Sequence, residues 1–319
     1  MSEIRSNAVA TALKGMAMGV AEVIPGVSGG TIAFITGIYE RLLNAIKSVL
    51  GPGIFKAFKS GGIKEAWRFI DGNFLIALMA GMAAGVVVGV FGISHLLEHY
   101  PQLVWSFFFV LILASARLLF RQVGNWNLKT IAALVITSIA AFYYTIAAPS
   151  EGIQEYWFVF VSGAIAISAL MLPGISGSFI LVLLGMYSYI LGSVKKLLTD
   201  FDFGSGLVAV VFAMGCLVGL ATFSRVLTWT FKHHYHITMA ALTGFMIGSL
   251  NKIWPWKEVV SWRTDSHGEQ VALLEKSVLP AQFDGDPMVA ACILLAVAGF
   301  VTVSVIEKIG KQTTTHPAA

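Results

Sequence analysis

The chain has 319 residues; 57% are hydrophobic, only 12% are charged, and 32 are glycine. Soluble domains carry about twice that charged share, roughly 25%, and the mean hydropathy here is +0.80. A soluble enzyme, a disordered chain and a secreted disulfide scaffold are excluded, and a net charge of only +4 argues against nucleic acid as a partner. A polytopic membrane protein is left.

Taken in chain order, the first apolar region is Ala8–Tyr39, interrupted only by Lys14 and Glu22. It is expected to form a re-entrant hairpin over about residues 8–48. Charge-free stretches then predict spans at about 73–93, 103–120 and 129–148, each close to the roughly 20 residues a crossing needs. These complete a first half, residues 1–150. Tyr156–Val194 carries no formal charge over 39 residues. As one helix it would reach about 58 Å at 1.5 Å per residue, nearly twice the hydrocarbon core, so it must break, and a second hairpin is expected over about 157–192. Spans at about 206–231, 237–254 and 287–307 complete the second half, residues 151–319. Cys216 and Cys292 fall singly in predicted spans, so neither a disulfide nor a cysteine metal site is expected.

The two irregular regions repeat one another. Residues 15–39 align with 163–187 without a gap, and nine of the 25 positions are identical. The shared centre is Pro-Gly-x-Ser-Gly, at Pro25–Gly29 and Pro173–Gly177. Lys and Arg counts orient the chain. Arg41, Lys47, Lys56, Lys59, Lys64 and Arg68 put the loop after the first hairpin in the cytoplasm, with the N-terminus. The Lys- and Arg-free loop at 94–102 is expected outside, Arg117, Arg121 and Lys129 inside, and acidic 150–156 outside. The second hairpin thus starts from the opposite face. Lys and Arg counts alone fit a full crossing of this segment marginally better, but the shared break motif argues for a re-entrant form, which puts Lys195, Lys196 and the mixed-charge 252–287 loop outside and the C-terminus in the cytoplasm. The expected fold is an all-α polytopic membrane protein of two inverted repeats, each a re-entrant Pro-Gly-broken helical hairpin followed by three transmembrane helices. Inverted repeats with broken helices at mid-membrane are a transporter pattern.

Proline removes an amide donor, and glycine permits positive φ. Together they stop one helix and start another, whose first N–H groups favour an anion. Two such tips meeting at mid-membrane make an anion cradle from Pro25, Gly26, Val27, Ser28, Gly29, Gly30 and Thr31 on one side. Pro173, Gly174, Ile175, Ser176, Gly177 and Ser178 face them. Ionisable groups at membrane depth are functional candidates. Glu22, whose repeat partner is Leu170, is the candidate carrier of a coupling proton. Arg117 and Arg225 are candidates for phosphate oxygens, which suit the guanidinium fork. His95, His99, His233, His234 and His236 sit at span ends, are read as surface residues without a helix-spaced carboxylate partner, and no metal site is expected.

Val23–Thr31 and Leu172–Ser178, at this spacing in a chain of this length, resemble the bacterial polyprenyl-phosphate (undecaprenyl-phosphate) translocases called PopT, formerly a membrane family of unknown function. The resemblance covers about residues 10–308. It implies a plasma-membrane protein that returns undecaprenyl phosphate from the outer to the inner leaflet, with the headgroup bound at the two motif stretches. Undecaprenyl-pyrophosphate phosphatases are similar in their inverted hairpins, but their motif arginine is replaced here by Gly29 and Gly177, and their acidic companion motif has no counterpart beyond Glu22. A transporter of a small anionic solute, driven by protons or another ion, is the other reading. No nucleotide-binding motif is present, so neither ATP nor any other cofactor is expected.

Overall fold

The computed structural model describes residues 2–24, 26–264 and 270–314; Pro25 of the first motif lies outside the described residues. The first half forms α1 (Ser2–Val23), α2 (Gly29–Ile35), α3 (Tyr39–Val49), α4 (Gly53–Phe69) and α5 (Gly72–Val88). A π-helical turn, Gly89–Ile93, leads into α6 (Ser94–His99), followed by α7 (Pro101–Gln122) and α8 (Leu128–Ile146). The second half forms α9 (Tyr156–Leu170), α10 (Gly177–Leu183), α11 (Tyr187–Asp200), α12 (Phe203–His233) and α13 (Tyr235–Ser249). A 3₁₀ turn, Leu250–Ile253, leads into strands β1 (Lys257–Thr264) and β2 (Gln270–Ser277), and α14 (Val289–Thr314) ends the described chain.

Both broken segments carry the same punctuation. The long first helix ends before a glycine in the left-handed region, Gly26 at φ +82° and Gly174 at φ +84°. A serine then caps a seven-residue helix. Ser28 Oγ accepts the Gly30 N–H, and Ser176 Oγ accepts the Phe179 N–H. Such a cap satisfies one of the amides a helix start leaves open. A second left-handed glycine, Gly37 or Gly185, ends that short helix, and Tyr39 or Tyr187 opens the next. The chain bends by 109° between α10 and α11.

Packing links the halves. Helix α1 lies along α5, and α9 lies along α12, each within its own half. The remaining long helices pair across the halves, α7 with α14 and α8 with α13. The backbones approach closely at small residues: a Cβ on Gly299 would run into Phe107 O, and one on Gly244 into Leu134 O. Small residues of this kind allow packing where lipid removes the hydrophobic drive between helices. The main core gathers Ile24, Val27, Ile112, Met239, Leu242 and Met246 around the two loops. A smaller core joins Val159, Leu181, Met186 and Val208.

Among the described residues, five helical stretches are long and apolar enough to cross a membrane: within Gly53–His99, then Pro101–Gln122, Leu128–Ile146, Phe203–His233 and Val289–Lys308. Their outer faces expose Met79, Ile136, Leu217, Leu294 and other large apolar side chains, as lipid contact requires. The chain is a multi-pass membrane protein. Helix α13 has only 15 residues and is mostly buried.

Two features differ from the sequence reading. Between the last two spans the chain is not all-α: β1 and β2 form an antiparallel ribbon, with a register shift beside Ser261. Val259, Val260 and Trp262 in β1 are the residue types that favour strands, so the all-α description holds for the spans but not for this loop. The basic stretch after the first hairpin is helical. Helix α4 bends at Gly61 and Gly62 and exposes Phe55, Phe58 and Ile63 among its lysines, the composition of a helix lying on a membrane surface.

Candidate functional site

The two Pro-Gly loops meet at one buried point. The Gly174 N–H donates to Thr31 Oγ1 at 3.0 Å. Ser28 Oγ donates to the Leu170 carbonyl at 3.3 Å, and the Tyr39 hydroxyl to the Met171 carbonyl at 2.6 Å. Three hydrogen bonds therefore tie the first loop to the second. Residues 26–31 are buried throughout, as are 173–177, and Ser178 is exposed.

Donor accounting changes the expected cradle. The Gly29 N–H donates to Glu22 Oε1 at 2.7 Å, the Gly30 N–H to Ser28 Oγ at 3.1 Å, and the Thr31 N–H to Ser28 O at 2.9 Å. The start of α2, expected to offer free amides, is thus filled by internal acceptors, Glu22 Oε1 among them. At the other end of α2, Lys14 Nζ donates to the Thr36 carbonyl at 2.8 Å. Glu22 and Lys14, both on α1, thus brace the short helix at its two ends. In the second loop the Tyr144 hydroxyl donates to Ser176 O at 3.0 Å and accepts the Ser176 N–H at 3.3 Å. Ser176 Oγ and Ser178 Oγ share a hydrogen bond of 2.9 Å.

Positive charge reaches the crossing from an element the sequence reading passed over. The turn after α13 lays Lys252 across the first loop, so that a Cβ on Gly26 would stand 2.9 Å from Lys252 Cγ. The Lys252 ammonium sits 4.5 Å from the Phe179 ring centre, beside the second loop. Glu275 of β2 receives it at 3.2 Å and receives Lys257 Nζ at the same distance on the same oxygen. Lys257 also lies 4.2 Å from the Trp105 ring centre. The three side chains are only 14%, 7% and 23% exposed, for Lys252, Lys257 and Glu275 in turn. Burial pulls the pKa of Lys257, outside the spans, from 10.5 down to about 8, against the opposing pull of Glu275. Burial works to raise the Glu275 carboxyl, but the two ammoniums outweigh it and hold it below its ordinary range.

Residues 18–271 match the model of the VCA0040-like family, described as undecaprenyl phosphate translocase-like. The chain belongs to this family. It is similar to the polyprenyl-phosphate transporter of Vibrio cholerae serotype O1 (strain ATCC 39315 / El Tor Inaba N16961), 45% identical over 278 residues, 87% of this chain and 88% of that protein. It is also similar to the polyprenyl-phosphate transporter of Staphylococcus aureus (strain NCTC 8325 / PS 47), 28% identical over 270 residues, 78% of this chain and 88% of that one. No solved structure matches.

In this member of the translocase-like family the arginines stand apart from the loops. Arg225 donates to the Leu50 carbonyl at 2.8 Å and to Ala221 O at 3.2 Å, closing the end of α3. Arg117 is exposed on α7. Among the described residues no hydrogen bond or ion pair joins either arginine to the crossing. The histidines also need a correction. Glu98 joins His95 and His99 on one exposed turn, with ligand atoms within 4.8 Å of one another. The spacing of 95, 98 and 99 places all three on one helix face, so these histidines do have a carboxylate beside them. Tyr144, Lys252, Lys257 and Glu275 were missed. Lys252 and Lys257 flank an aromatic-rich segment, Trp254–Trp256, which was the one available signal.

Proposed function

We propose that this protein moves polyprenyl phosphate, specifically undecaprenyl phosphate, across the bacterial plasma membrane, from the outer to the inner leaflet. The observation that carries the proposal is the meeting of two broken hairpins at a buried crossing, in a chain of this family. The headgroup engages residues 25–31 and 173–178 while the tail stays in lipid. Taking a phosphate out of water costs several kcal/mol, and the hydroxyls and cations around the crossing offset part of it. Engagement requires the three hydrogen bonds that close the crossing to give way, which is what rocking of one half against the other accomplishes. Glu22 is the coupling-ion carrier in this scheme. The relatives' names support a transporter rather than an enzyme. Protein in liposomes is expected to exchange undecaprenyl phosphate between leaflets, and to release no inorganic phosphate from undecaprenyl pyrophosphate with or without divalent metal. Exchange no faster than in protein-free liposomes would overturn the proposal.

The two halves are inverted in this scheme, with both termini cytoplasmic. The cross-half pairing of α7 with α14 and α8 with α13 supports a two-fold relation between the halves, which exchanges those pairs, and the Lys and Arg pattern is what lays the axis in the membrane plane. Single cysteines replacing Ser60, Asn125, Ile153 and Leu198, all exposed, test it in a background free of Cys216 and Cys292. An impermeant thiol reagent applied outside should label positions 153 and 198 but not 60 or 125. Labelling at 153 without 198 would make the second broken segment a full crossing.

A further inference from the structure

We infer that Lys252 and Lys257 form a cationic subsite for a phosphate group at the edge of the loop crossing, and that Glu275 is a built-in counter-ion which the phosphate displaces. This rests on the reading that the crossing receives a phosphate headgroup. The location comes first. Lys252 touches both loops, its stem against Gly26 and its ammonium over Phe179. Phe179 follows Ser178, the residue at which the buried loops open to the surface.

Donor supply comes second. The amides at the start of α2 are already taken by Glu22 and Ser28. An arriving anion therefore finds its charge complement in the lysines, and Arg225 is held by Leu50. The geometry comes third. Two ammoniums converge on one Glu275 oxygen at 3.2 Å each, an arrangement a phosphate oxygen satisfies equally well. The set carries one positive charge in excess, and uncompensated charge in a largely buried place is costly. A phosphate group supplies the missing anion, with more acceptor oxygens than a carboxylate. Glu275 can leave without tearing the spans, because it stands on the ribbon. The ribbon's base stays fastened by the Trp254 Nε1–H bond to Val278 O and the Trp256 Nε1–H bond to Pro287 O.

Full-length protein in nanodiscs is to be titrated with undecaprenyl phosphate, uncharged undecaprenol and inorganic phosphate. Glu275→Gln is expected to bind undecaprenyl phosphate about three- to tenfold more tightly, since a self-occupied state no longer competes. Lys252→Met and Lys257→Met should each weaken it about tenfold or more, as loss of a charged hydrogen bond does. Undecaprenol binding should not move in any variant. A lysine variant that fails to fold leaves the test standing, because misfolding cannot produce the gain in Glu275→Gln. Unchanged or weaker binding in Glu275→Gln overturns the displacement, and unchanged binding in both lysine variants overturns the subsite. Wild type that binds undecaprenol as tightly as undecaprenyl phosphate overturns the headgroup reading itself. If only inorganic phosphate follows the variant pattern, the subsite stands but serves a free anion, and the lipid reading falls.

Discussion

Gly174→Ala is expected to abolish the folded protein. At φ +84° an L-residue pays roughly 1–2 kcal/mol for the left-handed backbone. The new Cβ would stand 2.5 Å from Ser249 Oγ and 3.2 Å from Met246 Cα, a backbone atom of buried α13. Overpacking of that kind costs about 1–3 kcal/mol. Any shift that relieves it pulls the Gly174 N–H off Thr31 Oγ1, one of the three bonds between the two loops. The sum is a large part of the 5–15 kcal/mol that typically holds a domain together. The measurement is monodisperse yield in detergent and the apparent melting temperature. Two controls separate the causes. Gly174→Ala with Ser249→Ala removes the nearest obstacle and should recover part of the yield, because the strain at φ and the Met246 contact remain. Gly192→Ala has open space around it and an ordinary helical backbone, and should melt as wild type or slightly higher. Wild-type melting of Gly174→Ala alone would mean that the crossing is soft and does not join the halves.

The repeated motif was legible because each shared residue answers a local demand. Proline and glycine stop a helix, serine caps the next, and the second glycine ends it, all within a dozen residues. Gly15 and Gly163 also repeat because each lets its helix press on a span of its own half, α5 at Leu78 and α12 at Phe212. Contacts made over long distances in the chain were not legible. Ser28 meets Leu170 142 residues away, and Lys252 meets Glu275 through a ribbon that composition alone left as a mixed-charge loop. Free amides at the start of α2 were expected from helix geometry, yet Glu22 turns back onto Gly29 from seven residues upstream. The arginines drew attention because a guanidinium fits phosphate, but residue type says nothing of which carbonyl already holds it, and for Arg225 that is Leu50. Glu98 was readable, and the helix spacing of 95, 98 and 99 would have found it.

Glu22 can be tested so that its two roles come apart. Its carboxylate accepts the buried Gly29 N–H at 2.7 Å, and a Cβ on Gly29 would stand 2.5 Å from the same oxygen, so the acid and the glycine are fitted to one another. Glu22→Gln keeps an acceptor oxygen at the same reach, and is expected to fold with a melting temperature close to wild type. Glu22→Ala leaves the Gly29 N–H without its acceptor, at a cost of about 1–3 kcal/mol for a buried donor, and should melt clearly lower. Transport separates the second role. If Glu22 carries the coupling proton, Glu22→Gln cannot titrate, and leaflet exchange of undecaprenyl phosphate in liposomes should lose its dependence on pH while the protein remains folded. Glu22→Asp keeps the titrating group but withdraws it by one methylene from Gly29, so it should retain a pH dependence and lose stability. That inverse pattern, one variant stable and pH-blind and the other pH-responsive and weakened, is the expected result. A Glu22→Gln protein that exchanges lipid with the wild-type pH profile would confine Glu22 to bracing α2, as Lys14 braces its other end, and the coupling ion would have to be carried by another group.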